Sequence, residues 1–327
     1  MTSVRRSGVA EVGILIYPEA QLSAVYGLTD LFRIATEWTG DEKRPWIRVT
    51  HWAPSKEGSA TSIACIWDSR PNSEHRLDYV IVPPSIAMPD RMQPTPEAAQ
   101  WLEECHGAGA RICSVCAGAF VLAESGLIDG RRVTTHWAFA NDLARRFPQI
   151  DVAEENMVLD DGDIITAGGI LAWTDLGLTL VERLLGPSTM LATARFLLID
   201  PPRQSQLPFS AFVPRFDHGD EPILRAQHHI QAQGAEPHSL KELAGIAGLG
   251  ERTFLRRFSK STGHKPIEYL QNVRIAKARE ALELTGRPVD QIAWQVGYAD
   301  PAAFRKVFQR LTGLTPSDYR QRFGVAR

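Results

Sequence analysis

Residues 254–266 read FLRRFSKSTGHKP and residues 304–316 read FRKVFQRLTGLTP, so that two phenylalanines, a Thr–Gly pair and a proline recur after 50 residues. A short helical pattern precedes each copy, at residues 243–249 and 292–298, where the offset is 49. Each copy therefore predicts a helix, a glycine-containing turn and a second helix, which is a helix-turn-helix motif written twice.

A single helical stretch, residues 267–285, joins the two motifs. Its 19 residues extend about 28 Å at ~1.5 Å per residue. Its predicted apolar face consists of Ile267, Leu270, Ile275, Ala278, Ala281 and Leu282. Both motifs can pack on such a rod. Because a major groove returns to the same face of DNA every ~34 Å, the rod suits two adjacent grooves.

Other residues of this region have predicted structural roles. Ser239 and Asp290 stand where N-caps are useful. Arg274 lies within the apolar face of the rod, so we expect it to pair with a buried carboxylate. The phenylalanines predicted to lie in the core are Phe254, Phe258, Phe304 and Phe308.

Charge divides the chain unequally. Residues 220–327 contain 17 Lys and Arg against 11 Asp and Glu, a net charge of +6. Residues 1–219 contain 19 against 27, a net charge of −8. A small basic region beside a larger acidic one indicates that the C-terminal part of the chain meets a polyanion.

The overall composition is that of a globular protein with two domains. Of the 327 residues 44% are hydrophobic and 23% are charged, which excludes a mostly disordered chain. No run approaches the ~18 apolar residues of a membrane span, and residues 1–6 lack the features of a signal peptide. Four cysteines, three of them within twelve positions, do not resemble a secreted disulfide framework. We therefore expect a cytoplasmic protein that does not associate with membranes.

The first two thirds of the chain alternate short β-rich runs with helical stretches. The runs VGILIY at 12–17 and YVIV at 79–82 are apolar throughout, as strands buried on both faces are. A helix is predicted over 20–38, and the acidic turn at 160–163 predicts a hairpin. This pattern predicts an α/β domain over residues 1–200, a flavodoxin-like sandwich with a mainly parallel sheet.

A proline-rich segment without periodicity follows at residues 201–221, and we expect it to be a linker. Beyond it β-branched runs are scarce and the pattern is helical to the end. The sequence therefore predicts an all-α domain over residues 222–327 that contains both helix-turn-helix motifs.

The C-terminal region resembles the AraC/XylS family of bacterial transcription regulators over about residues 221–324. The resemblance rests on Gly297–Tyr–Ala–Asp300, on the paired phenylalanines and on the Thr–Gly–x–x–Pro endings. It implies a DNA-binding domain for double-stranded DNA that also contacts RNA polymerase. The residues it places at base edges are Arg252, Leu255, Arg256, Ala302, Ala303, Arg305 and Lys306. Those it places at phosphates are Lys260, Lys265 and Arg310.

Residues 111–122, RICSVCAGAFVL, predict a strand, one reactive residue and a small-residue turn into a helix. This is the form of a nucleophile elbow, here S-x-C-x-G. The N-terminus of the helix would favour the thiolate of Cys116. His136, twenty residues further on, is a possible base.

Residues 9–200 resemble the ThiJ/PfpI superfamily with its class I glutamine-amidotransferase-like fold, and more narrowly the form fused to AraC domains, the GlxA-type regulators. The resemblance rests on the run from Cys116 to Leu127, on Thr134–Thr–His136–Trp and on Thr166–Ala–Gly–Gly169. It implies a small-molecule effector, by analogy a nitrogen-containing metabolite, and a homodimer formed through this domain. The expected ligand pocket is lined by Cys116, Ala117, His136, Trp137, Gly168, Gly169 and Trp173.

One position departs from the pattern of the superfamily's enzymes. Those enzymes often place a carboxylate after the first strand to hydrogen-bond the elbow cysteine, whereas this chain has Ala24 there. A Cys–His pair without an orienting group is a handicapped catalyst, so we expect a binding pocket rather than an enzyme, with no cofactor and no metal. Two alternatives stay open. One is a cysteine-dependent hydrolase, hydratase or glyoxalase-like enzyme that uses Cys116 and His136, and the other is an oxidant sensor that uses Cys113 or Cys116.

Overall fold

The structure, a computed structural model, describes residues 9–37, 46–57 and 60–325. The chain divides into two compact units, Met1–Gln206 and Leu207–Arg327. Trp38, the predicted end of the first helix, lies outside the described residues.

The first unit is built on a seven-stranded sheet in the order β3-β2-β1-β4-β5-β9-β8. Its strands are β1 (Val9–Leu15), β2 (Trp46–Glu57), β3 (Ala60–Asp68), β4 (Tyr79–Val82), β5 (Arg111–Val115), β8 (Val158–Asp160) and β9 (Ile164–Ala167), while β6 (Arg132–Val133) and β7 (Asp151–Val152) form a small separate sheet. Strands β1, β2, β4, β5 and β9 pair in parallel, and β3 and β8 lie antiparallel at the two edges. The predicted mainly parallel α/β fold is confirmed.

Two groups of helices pack on this sheet. Helix α1 packs with α5 and α6, and α2 packs with α3. Their bounds are α1 (Leu22–Glu37), α2 (Pro96–Gly107), α3 (Gly118–Glu124), α4 (Ala140–Arg146), α5 (Trp173–Leu185) and α6 (Pro187–Leu197). Central strand β4 is buried along its whole length, because the sheet is covered on both faces there.

The second unit begins with an irregular segment, residues 207–220, and the regular structure that follows it is entirely helical among the described residues. Its helices are α7 (Glu221–Gln233), α8 (Leu240–Ala247), α9 (Glu251–Thr262), α10 (Pro266–Leu284), α11 (Val289–Gln295), α12 (Pro301–Thr312) and α13 (Pro316–Phe323). Two separate cores share α10. Tyr269 and Val273 complete a core with α7, α8 and α9, whereas Ala278 and Leu282 complete another with α11 and α12. The predicted rod with a motif on each half is therefore present.

Three predictions about this rod and its neighbours are wrong. Ile267 was expected on the apolar face, but its position in the first turn of α10 leaves it 46% exposed. Arg274 does not meet a carboxylate: its guanidinium donates to the carbonyl oxygens of Gly234 and Glu236. Asp290 lies inside the first turn of α11 and caps nothing, because Pro288 occupies the N-cap position.

None of the described helices combines the length and apolar character needed to cross a membrane.

Replacing Gly118 by alanine should destabilise the first unit. A Cβ at this position would lie 2.5 Å from the carbonyl oxygen of Val82 and 2.6 Å from that of Pro83, which are backbone atoms that cannot move aside cheaply. We expect a loss of about 1–3 kcal/mol in the free energy of unfolding, measured by calorimetry. Gly107→Ala is the control, since nothing lies within 4 Å of its added Cβ. Equal stability of the two variants would contradict this close approach.

Candidate functional sites

The first helix-turn-helix motif consists of α8 and α9. The Ser239 hydroxyl accepts a hydrogen bond from the Glu242 amide at 3.2 Å, and the Glu242 carboxylate accepts one from the Ser239 amide at 2.7 Å, so a capping box begins α8. Gly248 ends α8 at φ +68°, in the left-handed region that favours glycine. Phe254 and Phe258 are buried in the core, which turns the opposite face of α9 outward.

The outward face of α9 carries the predicted base-reading side chains. Arg252, Leu255 and Arg256 are all exposed. Neither arginine forms an ion pair with another described residue. Both guanidinium groups are therefore available to a polyanion, and the arginine fork matches the O6 and N7 atoms of guanine.

The second motif, α11 and α12, reaches a similar geometry through different residues. Gly297 has φ +92°, and a Cβ there would lie 2.2 Å from the carbonyl oxygen of Ala235, so only glycine fits. The Asp300 carboxylate caps α12 by accepting from the Ala302 and Ala303 amides at 2.8 Å and 3.2 Å. The exposed residues of α12 include Ala302, Ala303, Arg305 and Lys306.

The two motifs differ in how their cations are held. Arg305 forms an ion pair with Asp290 of α11. Arg310, expected at a phosphate, donates to the Gln271 side-chain oxygen at 2.6 Å. Lys260 and Lys265 are exposed. Among the described residues, the predicted base readers Arg252 and Arg256 of the first motif therefore have no ion-pair partner, whereas two of the predicted contact residues of the second motif do have protein partners.

In the first unit, Cys116 stands at the turn between β5 and α3. Its φ is +54°, an uncommon value for a residue other than glycine and the backbone form expected of a nucleophile elbow. The close approach of Gly118 to Val82 and Pro83 holds this turn against β4. The Tyr17 hydroxyl donates to the carbonyl oxygen of Pro83 at 2.7 Å.

The thiol of Cys116 is 1% exposed, and burial raises its pKa to about 12. A hydrogen bond from the Ala117 amide lowers the pKa, but it is the smaller effect. The expectation that the helix N-terminus would make this thiolate favourable is therefore wrong, because desolvation of the charged form outweighs it. Ala117, expected at the pocket, is fully buried.

His136 begins a 3-10 turn at Trp137–Phe139. Its Nδ1 accepts a hydrogen bond from the Ala138 amide at 3.1 Å, and burial lowers the pKa of the imidazole. Among the described residues no hydrogen bond joins it to Cys116. Ala24, where the superfamily's enzymes often have a carboxylate, is fully buried in α1.

The carbonyl groups around the elbow converge on a residue that sequence reasoning missed, Gln206. Its side-chain nitrogen donates to the Thr135 carbonyl at 2.8 Å and the Asn156 carbonyl at 2.9 Å, and its side-chain oxygen accepts from the Trp137 amide at 3.2 Å. The Thr135 hydroxyl in turn donates to the carbonyl of Cys116 at 2.7 Å. A chain of two hydrogen bonds thus links the end of the first unit to the elbow.

The predicted pocket residues Gly168, Gly169 and Trp173 differ in their relation to this network. A Cβ at Gly168 would lie 2.1 Å from the Gln206 side chain, whereas nothing lies within 4 Å of one at Gly169. Trp173 packs its ring on Gly27 of α1, and its buried indole nitrogen has no hydrogen-bond partner among the described atoms. Gln206 therefore joins Trp137 and Gly168 in one cluster, while Trp173 forms part of the packing between α5 and α1.

The segment before Gln206 is held to the same unit. Arg203 pairs with Asp175, which is 3% exposed. The amide of Gln206 and the hydroxyl of Ser205 both donate to the carbonyl of Glu155. In the part of the chain that the structure describes, no three His, Cys, Asp or Glu residues are grouped as a metal site requires.

Comparison with known proteins identifies two domain types. A helix-turn-helix domain profile matches residues 243–322, and the profile of the DJ-1/PfpI family matches residues 54–183. The chain is similar to the HTH-type transcriptional regulator GlxA of Rhizobium meliloti, at 26% identity over 97% of both chains. It is similar to the HTH-type transcriptional regulator ArgR of Pseudomonas aeruginosa, at 25% identity over 96% of this chain and 94% of that one. A part is similar to the isonitrile hydratase of Pseudomonas putida, at 37% identity over 35% of this chain and 48% of that one.

Labelling by iodoacetamide should separate the four cysteines by exposure. Cys65 is partly exposed and should react first at pH 7, whereas Cys113 and Cys116 are buried with pKa values raised to about 12 and should stay unmodified. Mass spectrometry of the native protein against a urea-unfolded control measures this order. Rapid labelling of Cys116 at pH 7 would contradict the buried thiol and favour a reactive nucleophile.

Proposed function

This chain is an AraC-type helix-turn-helix regulator whose first domain is of the DJ-1/PfpI type, and we propose that a small-molecule effector in the cluster around Gln206 changes its affinity for DNA. The observation that carries the proposal is the pair of exposed recognition helices joined by one rod. In the chain they follow Gln206, the last residue of the first unit, whose side chain belongs to the hydrogen-bond network around the elbow. The protein regulates transcription by binding DNA. Its effector, its dimer and its contact with RNA polymerase are part of the proposal.

DNA recognition is assigned first to α9. Neither Arg252 nor Arg256 is ion-paired with any residue that the structure describes, and Leu255 between them offers an apolar contact. In α12 the small side chains of Ala302 and Ala303 permit close approach to the groove, but Arg305 must leave Asp290 before it can reach a base. The first motif is therefore expected to supply more of the base discrimination than the second.

Binding to a selected DNA site, measured by fluorescence anisotropy, tests this assignment. Arg256→Ala should lose about 1–3 kcal/mol of discrimination at one base pair. Arg305→Ala should also relax base preference but lose less, because the free protein already satisfies that guanidinium. Affinity should fall steeply with salt, since phosphate contacts release counterions.

Arg91→Ala, exposed in the first unit, is the control for lost positive charge. Unchanged base preference in both recognition-helix variants would remove these residues as readers. Binding that does not depend on salt would oppose the whole assignment.

The effector response is assigned to the network around Gln206. A ligand that contacts His136, Trp137 or Gly168 and shifts their backbone alters the hydrogen bonds that hold Gln206, because the Trp137 amide is one of its donors and Gly168 lies against its side chain. Gln206 is the last residue of the first unit, so a change in its seating acts on the chain that leads to the helix-turn-helix domain. Residues 201–221 are the proposed linker between domains at 1–200 and 222–327.

Gln206→Ala should weaken the first unit and change DNA affinity. The carbonyls of Thr135 and Asn156 would lose their donor, at a cost of about 1–3 kcal/mol in calorimetric stability. We expect the dissociation constant for DNA to change about fivefold or more. Gln204→Ala, an exposed residue of the same type two positions earlier, should change neither quantity. A destabilised first unit with unchanged DNA affinity would limit Gln206 to a structural role.

A second candidate function is hydration or hydrolysis at Cys116, favoured by the partial match to isonitrile hydratase. The buried thiol, its raised pKa and the missing bond to His136 oppose it. We propose that Cys116 and its neighbours shape a binding pocket and do not perform chemistry. The oxidant-sensor alternative meets the same obstacle, since Cys113 and Cys116 are both buried.

A further inference from the structure

A cleft lies in the first unit between helix α1 and the strands β2 and β3. It has a volume of about 300 Å³, within the range of small-metabolite sites. Helix α1 lines one side with Tyr26, Asp30 and Arg33, and the strands β2 and β3 line the other with His51, Ile66 and Trp67. None of these residues takes part in the hydrogen bonds around Gln206.

The imidazole of His51 is a buried polar group that lines this cleft. The residue is 4% exposed, and its Nε2 lies 2.8 Å from the Thr29 hydroxyl oxygen. With the proton of that hydroxyl assigned to the Val25 carbonyl at 2.8 Å, Nε2 is assigned as the donor of this hydrogen bond. Burial lowers the pKa of the ring, which favours the neutral form. Nδ1 is therefore an acceptor, and no described residue donates to it.

Charged groups of both signs line the same cleft as this acceptor. Asp30 and Arg33 lie 3.8 Å apart on α1, one turn from each other, with side chains 70% and 61% exposed. An ion pair as exposed as this one contributes little to the free energy of unfolding. Both groups can therefore bind a ligand at small cost to the protein.

The walls of the cleft are apolar and open. Trp67 stacks on the His51 ring with centroids 4.5 Å apart and stays 39% exposed, while Ile66 is 58% and Tyr26 is 56% exposed. Such contiguous apolar side chains beside an unpaired acceptor are typical of a binding site. Aromatic rings also attract a ligand cation.

We propose that this cleft binds an α-amino acid with an apolar side chain. Its ammonium group donates to His51 Nδ1 and lies beside Asp30, its carboxylate pairs with Arg33, and its side chain covers Ile66 and Trp67. This assignment does not rest on the effector site around Gln206.

Thermal shift of the full chain with the aliphatic and aromatic L-amino acids, added one at a time, tests the proposal. At least one should raise the melting temperature, because a ligand that binds only the folded state stabilises it. The N-acetyl and amide derivatives of that amino acid should each bind with an affinity lowered at least about tenfold, since each lacks one charged group. Failure of every amino acid to stabilise the protein would overturn the proposal.

Four variants locate the site. His51→Phe keeps the ring stack but removes the acceptor, and Asp30→Asn changes an exposed carboxylate that the fold does not need. Each should weaken binding about tenfold or more. Glu37→Gln, exposed on the same helix but outside the cleft, should bind as the unaltered protein does. Full binding by Asp30→Asn, or loss of binding only in Trp137→Phe, would overturn the site.

Discussion

Helix α10 is the element on which the arrangement of the second unit depends, because its side chains complete two cores at once. Tyr269 and Val273 are buried with the first motif, and Ala278 and Leu282 are buried with the second. Neither motif can turn on the rod without uncovering its own core, which would cost several kcal/mol. The separation of α9 and α12 is therefore set by the length of α10 and not by a flexible connection.

Within this symmetric frame the two motifs are chemically different. Arg252 and Arg256 of α9 form no ion pair with another described residue, whereas Arg305 of α12 is held by Asp290. A hydrated guanidinium gives up only water to reach a base, while a paired one must also lose its ion pair. We therefore expect the repeat to supply one stronger and one weaker reading surface.

The sequence predicted the features that depend on local pattern. The recurring phenylalanines placed both motifs, YVIV placed a central strand, and RICSVCAG placed the elbow. Asp300 could also have been found, since an aspartate directly before a proline is a common helix start. Gln206 could not, because its partners Thr135 and Asn156 lie 71 and 50 residues away and no periodicity marks it. The raised pKa of Cys116 likewise follows from burial by distant segments, and only the fold reveals it.

Hydroxyl-radical footprinting of the full chain on a DNA site selected from a random pool tests the central claim, that two recognition helices on one rod engage a single duplex. We predict two protected segments on the same face of the DNA, with centres about 10–10.5 base pairs apart. A single protected segment, or two on opposite faces, would contradict the rigid coupling through α10.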